Sequence, residues 1–133
     1  MSIIHVVACT VVANKELLVV RKRNTLKFML PGGKIDAGEN DLDCLAREVM
    51  EELGCQLELE NLSFLGKFTA SAANEANTLV TARIYSGQFL GTPVPFNEIE
   101  ELRWISRDSS EATLLAPLLA DWVLPRLLEL ACL

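Results

Sequence analysis

The sequence predicts an α/β fold in which a mixed β-sheet carries helices on both faces. Runs rich in β-branched residues stand before and after one central stretch with helical periodicity, and the end of the chain again has a helical pattern. Strands, one helix, more strands and a final helix form an order typical of a sheet covered by helices.

The length and composition predict one domain over residues 1–133. Half of the 133 residues are hydrophobic, enough for a real core, which excludes a disordered chain. The four cysteines, at positions 9, 44, 55 and 132, show no CxxC spacing. We therefore expect neither a zinc site nor a disulfide framework, and we expect Cys9 and Cys55 to be buried thiols.

Two strands are predicted at the start of the chain. Residues 3–13 form a continuous run rich in β-branched residues, as in a strand buried on both faces. Asn14 and Lys15 form a turn before a second strand at 16–23. No basic leader precedes the apolar run, so the pattern favours a strand over a signal peptide or a membrane span, and the expected location is the cytoplasm.

A helix is predicted from about residue 41 to residue 53. Asn40 is a suitable N-cap, with Asp43 three residues later, and Gly54 is placed to end the helix in a left-handed conformation. Before it, residues 24–33 read as a loop with a short extended piece, because the residue preceding Pro31 is restricted to β geometry.

The second half of the chain predicts three further strands. Two long strand-like runs cover 56–70 and 77–89 and are joined by a small polar turn. The Pro-containing stretch 91–96 reads as a loop, and a last strand is expected around 102–105.

The tail from about Ser110 to Leu133 predicts a helix. Pro117 stands near a helix start, and Pro125 predicts a kink, because proline cannot donate to the preceding turn. This helix has more hydrophobic residues than one buried face needs, which predicts either deep burial or a homodimer contact.

The negative charge is concentrated in one segment. The chain has a net charge of −6, and residues 33–55 contain two basic and seven acidic side chains, a net −5. A protein that binds duplex nucleic acid usually shows a basic surface instead. We therefore expect no duplex nucleic acid partner.

Three of these acids share one face of the predicted helix. An α-helix turns by about 100° per residue, which places Glu48, Glu51 and Glu52 within an arc of about 100° on successive turns. Arg47 lies beside Glu51 at i+4, where it can hold a carboxylate in place. The apolar residues of the helix occupy a separate arc next to the acids: Leu42, Leu45, Ala46, Val49 and Leu53.

Three clustered carboxylates suit a hard divalent cation, above all Mg²⁺, which keeps waters for substrate phosphates. A solvated acidic helix face is the alternative, and such faces are common. The glycines at 32 and 33 favour the metal interpretation, since they let the backbone approach a ligand and the Gly32 carbonyl is one more hard oxygen. The residues alone leave both interpretations open.

The full spacing from Gly33 to Cys55 resembles the Nudix box of the MutT-related hydrolases. That pattern is Gly, five residues, Glu, seven residues, Arg-Glu, an aliphatic, any residue, Glu-Glu, any residue, Gly, and a small or aliphatic residue. The chain matches every fixed position with Gly33, Glu39, Arg47-Glu48-Val49, Glu51-Glu52, Gly54 and Cys55.

This resemblance implies a Nudix-type α/β/α sandwich. It also implies Mg²⁺- or Mn²⁺-dependent hydrolysis of a diphosphate bond in a nucleoside diphosphate linked to another group. By position, Glu48 and Glu52 would be metal ligands and Glu51 a ligand or orienting acid, with the Gly32 carbonyl a further ligand. Arg47 would orient a glutamate, and Glu39 would brace the loop and helix through Arg47.

The family does not place its general base uniformly, so the base can be a box glutamate or a later acid. We favour Glu98, which follows the Pro-containing loop, among the later acids Glu98, Glu100 and Glu101. Strand alternation could equally present Glu100, and Glu75 is a weaker candidate. An exposed acidic start of a strand is the plain alternative.

Four residues near the glycines are candidates for substrate binding. Arg21 and Arg23 share one face at the end of the second strand, where a phosphate could lie, although solvated charge is as good an interpretation. Phe28 could contact a base, although core packing is the better interpretation. Gly33 would give close access to the backbone.

The expected substrate is a nucleoside triphosphate, split to a monophosphate and pyrophosphate as in MutT-like enzymes. ADP-ribose or another nucleotide sugar is the second expectation. A nucleotide-sensing domain without catalysis is the rival from another class, and the intact acid set argues against it. An mRNA-decapping role would need a basic RNA track, which this composition lacks.

Overall fold

The structure is a computed structural model and describes residues 2–108 and 114–133. Its strands are β1 (Ser2–Ala13), β2 (Glu16–Lys22), β3 (Gly32–Lys34), β4 (Gln56–Leu57), β5 (Ser63–Ser71), β6 (Thr78–Gly87), β7 (Phe89–Leu90) and β8 (Ile99–Ile105). Its helices are α1 (Asp41–Leu53), a 3₁₀ turn (Leu59–Asn61), a π-helical segment (Leu119–Val123) and α2 (Leu124–Glu129).

The main sheet is mixed, as expected. Its strand order is β5-β6-β1-β2-β8, and β3 pairs with β1 beside that path. β1 and β6 run parallel, and the other pairs are antiparallel. Because β2 and β3 share one edge of β1, the glycines of β3 stand next to the middle of the sheet.

The two faces of the sheet carry different helices. Along β1, Val7, Cys9 and Val11 belong to a buried cluster with the apolar face of α1. Ala8 belongs to a second cluster with Leu119, Val123, Leu124 and Leu127 of the C-terminal helical segment. Adjacent strand residues face opposite sides, so one strand contributes to both cores. The α/β/α sandwich is confirmed.

The predicted ends of α1 are also confirmed. The Asp43 N–H donates to the Asn40 side chain at 2.8 Å, as in an N-cap. Gly54 ends the helix with a left-handed φ of 63°. The predicted apolar arc needs two changes, because Cys44 is fully buried and Leu42 is 37% exposed.

Other expectations about the strands differ from the structure. The run at 56–70 is not one strand, because Gln56–Leu57 pairs with β7 in a separate two-stranded ribbon. The 3₁₀ turn at Leu59–Asn61 then lets the chain enter the main sheet at Ser63. The last strand begins at Ile99, not near 102, because its first residues pair with the end of β2.

The C-terminal helix is irregular where Pro125 was expected to disturb it. The Leu124 N–H donates to the carbonyl of Leu119, one residue further back than in an α-helix. Pro125 has no N–H to donate, so the wider turn ends where the proline stands. The predicted start near Ser110 lies outside the described residues, and helical geometry is present from Pro117.

The cysteines are all unpaired, and three of them, Cys9, Cys44 and Cys55, are buried. In the part of the chain that the structure describes, no helix has the length and apolarity needed to span a membrane. Trp122, Leu128 and Leu130 of the C-terminal segment are 41–51% exposed, and the homodimer contact stays a prediction.

Candidate active site

One cavity of about 610 Å³ lies beside the carboxylate face of α1. Its floor is aliphatic, with Ile4 and Val6 of β1 beside Val80 and Ala82 of β6. Its acidic end brings together the side chains that the sequence singled out. That end is lined by Gly32, Gly33, Glu48, Glu51, Glu52 and Glu98.

Glu52 is the most buried of these acids, with only 8% of its surface exposed. Its Oε1 accepts a hydrogen bond from the Gly32 N–H at 3.0 Å. Burial raises the pKa of Glu52 to about 8, and the nearby Glu48 carboxylate adds to the rise, while the Gly32 N–H opposes it. The ionised form of Glu52 is therefore destabilised here unless a further positive charge lies close to it.

Glu48 lies directly against the glycine backbone. A Cβ atom added to Gly33 would overlap the Glu48 carboxyl group. Glycine at position 33 therefore lets Glu48 approach the β3 backbone. Burial raises the pKa of Glu48, and the hydrogen bond from Arg47 works against that rise.

Arg47 holds the loop and the helix together. Its Nε and Nη2 donate to the two oxygens of Glu39, at 2.7 and 3.0 Å. Its Nη1 donates to Glu48 at 2.8 Å, and Nη2 also donates to the Lys34 carbonyl at 3.1 Å. The Arg47 hydrogen bonds lower the pKa of Glu39 to about 2. These contacts match the bracing that the resemblance implied for Glu39.

Glu51 has the freest side chain of the three helix acids. It is 54% exposed and lies 3.5 Å from Arg47 Nη1, as expected for an i+4 pair. Within residues 2–108 and 114–133, no three His, Cys, Asp or Glu side chains stand close enough to form a metal site by themselves. The oxygen donors fit a hard cation that takes few protein ligands and keeps waters, as Mg²⁺ does.

Glu98 lines the same cavity as the helix acids. Its side chain is 78% exposed and stands 3.8 Å from Lys22 Nζ. The two other candidate bases, in β8, form ion pairs. Glu100 pairs with Arg23 at 2.5 Å, and Glu101 pairs with Arg21 and Arg103. Glu75 also lines the cavity, from the β5–β6 turn.

Glycine is required at position 54 for close packing as well as for the helix cap. A Cβ atom there would overlap the ring of Phe96. The ring packs where the side chain of any other residue would stand, so Gly54 lets the segment before β8 lie against the end of α1.

The basic residues that line the cavity are Lys22 and Lys34, not the two arginines that the sequence favoured. Arg21 donates to the Thr25 carbonyl at 2.9 Å and pairs with Glu101 at 3.4 Å. Arg23 pairs with Glu100 and donates to the Asn97 carbonyl. β2 ends at Lys22, with a register shift between Arg21 and Lys22, so regular strand alternation does not extend to Arg23, and neither arginine lines the cavity.

Phe28 lies in the core rather than at the cavity. It is 3% exposed and packs with Leu115 and Leu119. The Arg103 guanidinium stands over its ring, 4.7 Å from the centroid. Its neighbour Leu30 does line the cavity.

One ion-pair network was missing from the sequence interpretation. Asp41, the first residue of α1, accepts hydrogen bonds from Arg83 at 2.6–3.1 Å and from the Tyr85 hydroxyl at 2.6 Å. The Arg83 hydrogen bonds, and then that of Tyr85, lower the pKa of Asp41. Only the register of β6 brings these partners to α1, so no local sequence signal could have found them.

The family model for the NUDIX domain matches residues 3–124 of this chain. The chain belongs to the NUDIX family. The match covers nearly all of the described fold, including both faces of the sheet and the cavity.

Curated relatives of this NUDIX chain share part of its length. A Bacillus subtilis (strain 168) protein named "Putative 8-oxo-dGTP diphosphatase" is 27% identical over 93 residues, which is 70% of this chain and 59% of that protein. A Mycobacterium tuberculosis (strain H37Rv) protein with the same name and the number 2 is 35% identical over 80 residues, 60% of this chain and 54% of that one. The matches therefore span little more than half of these relatives.

Solved structures of NUDIX proteins share the fold. The solution structure of the E. coli ORF135 protein has a TM-score of 0.76 at 22% identity, covering 98% of this chain and 92% of that one. A MutT NUDIX hydrolase from Burkholderia pseudomallei has a TM-score of 0.71 at 24% identity, covering 84% and 88%.

Proposed function

We propose that this NUDIX chain is a divalent-metal-dependent pyrophosphohydrolase that cleaves a diphosphate bond of a nucleotide. The observation that carries the proposal is the group of helix acids at one end of a substrate-sized cavity. Glu52 is buried there with a backbone N–H as its hydrogen-bond donor, and Glu48 touches the glycine backbone. Burying charge in this way destabilises a protein unless a cation compensates it.

Glu48 and Glu52 would be the principal ligands of Mg²⁺ or Mn²⁺, with Glu51 and the Gly32 carbonyl as further oxygen donors. When bound, such an ion neutralises phosphate charge and lowers the pKa of a water. Arg47 would hold Glu48 in orientation through its 2.8 Å hydrogen bond, and Glu39 would in turn hold Arg47. Gly33 would contact the substrate through its backbone, since the Glu48 carboxyl fills the space of a side chain there.

Glu98 would act as the general base, with Glu51 as the alternative within the helix. The base takes a proton from a water whose oxygen forms a bond to phosphorus, and the bridging P–O bond breaks with its electron pair on the departing phosphate oxygen. The support is positional, since Glu98 lines the cavity of the helix acids while Glu100 and Glu101 are held in ion pairs. Lys22 is placed to contact the phosphates.

A nucleoside triphosphate is the proposed substrate, hydrolysed to a monophosphate and pyrophosphate. The names of the Bacillus and Mycobacterium relatives support a MutT-like reaction on an oxidised deoxynucleotide. ADP-ribose or another nucleotide sugar is the second candidate, because an aliphatic floor accepts an adenosine as readily as another nucleoside. We propose that the protein acts in the cytoplasm, where its four unpaired thiols would stay reduced.

A product assay tests the proposal. The purified chain is incubated with Mg²⁺ or Mn²⁺ and a panel of canonical and oxidised nucleoside triphosphates, ADP-ribose and a nucleotide sugar. Pyrophosphate and phosphate are scored separately, with EDTA as the control. Metal-dependent pyrophosphate release from triphosphates is expected. Activity only on ADP-ribose would replace the first substrate with the second.

Nucleotide binding without turnover on any member of the panel would contradict the enzymatic proposal and leave a nucleotide-sensing domain. Glu52→Gln is included as a matched variant. Turnover by that variant at the wild-type rate would show that another site performs the reaction.

A further inference from the structure

The segment between β7 and β8, residues 91–98, covers the carbonyl end of α1. The Val94 N–H donates to the carbonyl of Leu53 at 3.0 Å, and the Phe96 N–H donates to the carbonyl of Glu52 at 2.9 Å. The last carbonyls of a helix have no partner within the helix. The segment supplies those partners, and it is therefore fixed to the turn of α1 that carries the acids.

Asn97 makes the contact nearest to Glu98. Its Nδ2 donates to the carbonyl of Glu51 at 2.7 Å. Its backbone is left-handed, with φ at 51°, a conformation that asparagine adopts more readily than most residues. Through one side chain, Asn97 joins the backbone of Glu51 to the backbone next to Glu98.

Arg23 holds the same turn from the other side. Its Nε donates to the Asn97 carbonyl at 3.1 Å, and its backbone N–H donates to the Glu98 carbonyl at 2.8 Å. The Glu98 side chain itself is 78% exposed and meets Lys22 only at 3.8 Å. The direction of Glu98 thus depends on its backbone more than on its own side-chain contacts.

We propose that Asn97 and Arg23 are positioning residues that fix Glu98 relative to the carboxylates of α1. The inference rests on the proposed function, with Glu98 as the general base. A base must stand within hydrogen-bond reach of the proton it removes, and a displacement of about 1 Å can cost as much as a hundredfold in rate. Arg23, expected from the sequence to bind substrate, has this role instead.

The first test is Asn97→Gly, which keeps the left-handed backbone and removes only the amide. Asn97 lines the cavity, but its amide is bound to the Glu51 carbonyl. We therefore expect kcat to fall about tenfold while KM stays within about twofold. Asn77→Gly is the matched control, because Asn77 is also left-handed, with φ at 52°, and does not line the cavity. The control should keep the wild-type kcat, and melting temperatures of both variants check that they are folded.

The deciding measurement is a double-mutant cycle with Glu98→Gln. Loss of the base should lower kcat by about a hundredfold. Asn97→Gly and Arg23→Gln should then add no further loss, because both act through Glu98. The same tenfold loss from Asn97→Gly in the Glu98→Gln background would overturn the inference, since a merely structural role lowers kcat in either background.

The two proposals fail in different ways. A wild-type chain that releases no product with Mg²⁺ or Mn²⁺ overturns the proposed function and this inference with it. An active wild type whose kcat is unchanged by Glu98→Gln overturns this inference together with the assignment of the base to Glu98, and leaves the proposed hydrolase activity standing.

Discussion

The two ends of helix α1 carry acids in opposite electrostatic states. At the N-terminal end, Asp41 has a bidentate partner in Arg83 and a second donor in Tyr85, and these hydrogen bonds lower its pKa. At the other end, Glu52 is 8% exposed, with a backbone donor, and burial raises its pKa to about 8. Both are acidic side chains on one helix packed against one sheet.

The difference separates an acid that the fold itself neutralises from acids that we propose to bind a cation. Asp41 is satisfied by the protein itself, and its ion pair fastens α1 to β6. Glu48 and Glu52 are compensated only in part, by Arg47, by the Gly32 N–H and by the charge of Lys22. Partial compensation in a cavity is typical of functional sites, where the missing charge arrives with substrate or metal.

The largest expected difference between the two ends is in turnover. Glu52→Gln should lower kcat/KM by roughly a thousandfold, about 4 kcal/mol of transition-state stabilisation, because it removes a proposed metal ligand. Asp41→Asn removes one carboxylate from the other end of the same helix and should keep kcat/KM within about fivefold. Steady-state kinetics with the preferred nucleotide measures both, and equal losses would erase the distinction.

The pH dependence of stability should have opposite signs at the two ends. The pKa of Glu52 is raised from 4.5 to about 8. The folded chain therefore binds more protons than the unfolded chain between those values, and stability is lost as the pH rises through that window. In EDTA, we expect the free energy of unfolding to fall by about 2–4 kcal/mol between pH 5 and pH 8.

Urea unfolding at several pH values measures this slope. Glu52→Gln should remove most of it and leave the smaller contribution of Glu48, whose pKa is also raised. Asp41, with its lowered pKa, acts only in acid, where stability is lost as the pH falls below 3.8 through its folded pKa. A wild-type slope that Glu52→Gln leaves intact would refute the assignment to Glu52.

Asp41 should matter for stability where it does not matter for turnover. Asp41→Asn breaks the bidentate contact with Arg83, and we expect a loss of about 1.5–3 kcal/mol at pH 7, the usual range for hydrogen bonds to charged groups. Urea unfolding in EDTA measures this loss of stability.

The crowded acids at the other end of α1 should behave differently. Glu51→Gln relieves repulsion between neighbouring carboxylates and should therefore not lower the melting temperature in EDTA.

The smallest expected effects separate Lys22 from Arg21. Lys22 lines the cavity, so Lys22→Gln should raise KM for the nucleotide about tenfold through loss of a phosphate contact. Arg21 is bound to Glu101 and to the Thr25 carbonyl, and Arg21→Lys should leave KM within about twofold. KM values that change in the reverse order would return the phosphate contact to Arg21.

Most of the fold and the position of the acids on α1 could be predicted from the sequence, because both depend on local patterns. Asn40, Gly54 and the i+4 pair of Arg47 and Glu51 all follow from spacing along one helix, and the structure has them. The acids of α1 and the glycines also line one cavity, whereas the residues alone had left a solvated acidic helix face as an alternative.

What the sequence did not show depends on register between distant strands. Arg83 and Tyr85 reach Asp41 because of the parallel pairing of β1 and β6. Lys22 lines the cavity and Arg21 and Arg23 do not, because the end of β2 has a register shift against β8 that no local pattern shows. The break within 56–70 likewise follows from the pairing of β4 with β7, which no local pattern announces.

Thermal unfolding with and without Mn²⁺ shows whether the partly compensated acids of α1 form a cation site. At ten times the dissociation constant, binding should stabilise the wild type by about 1.4 kcal/mol, a rise of a few degrees in melting temperature. Asp41→Asn should show the same rise from a lower starting point, and Glu52→Gln should show little or none. An equal rise in Glu52→Gln and the wild type would contradict the account.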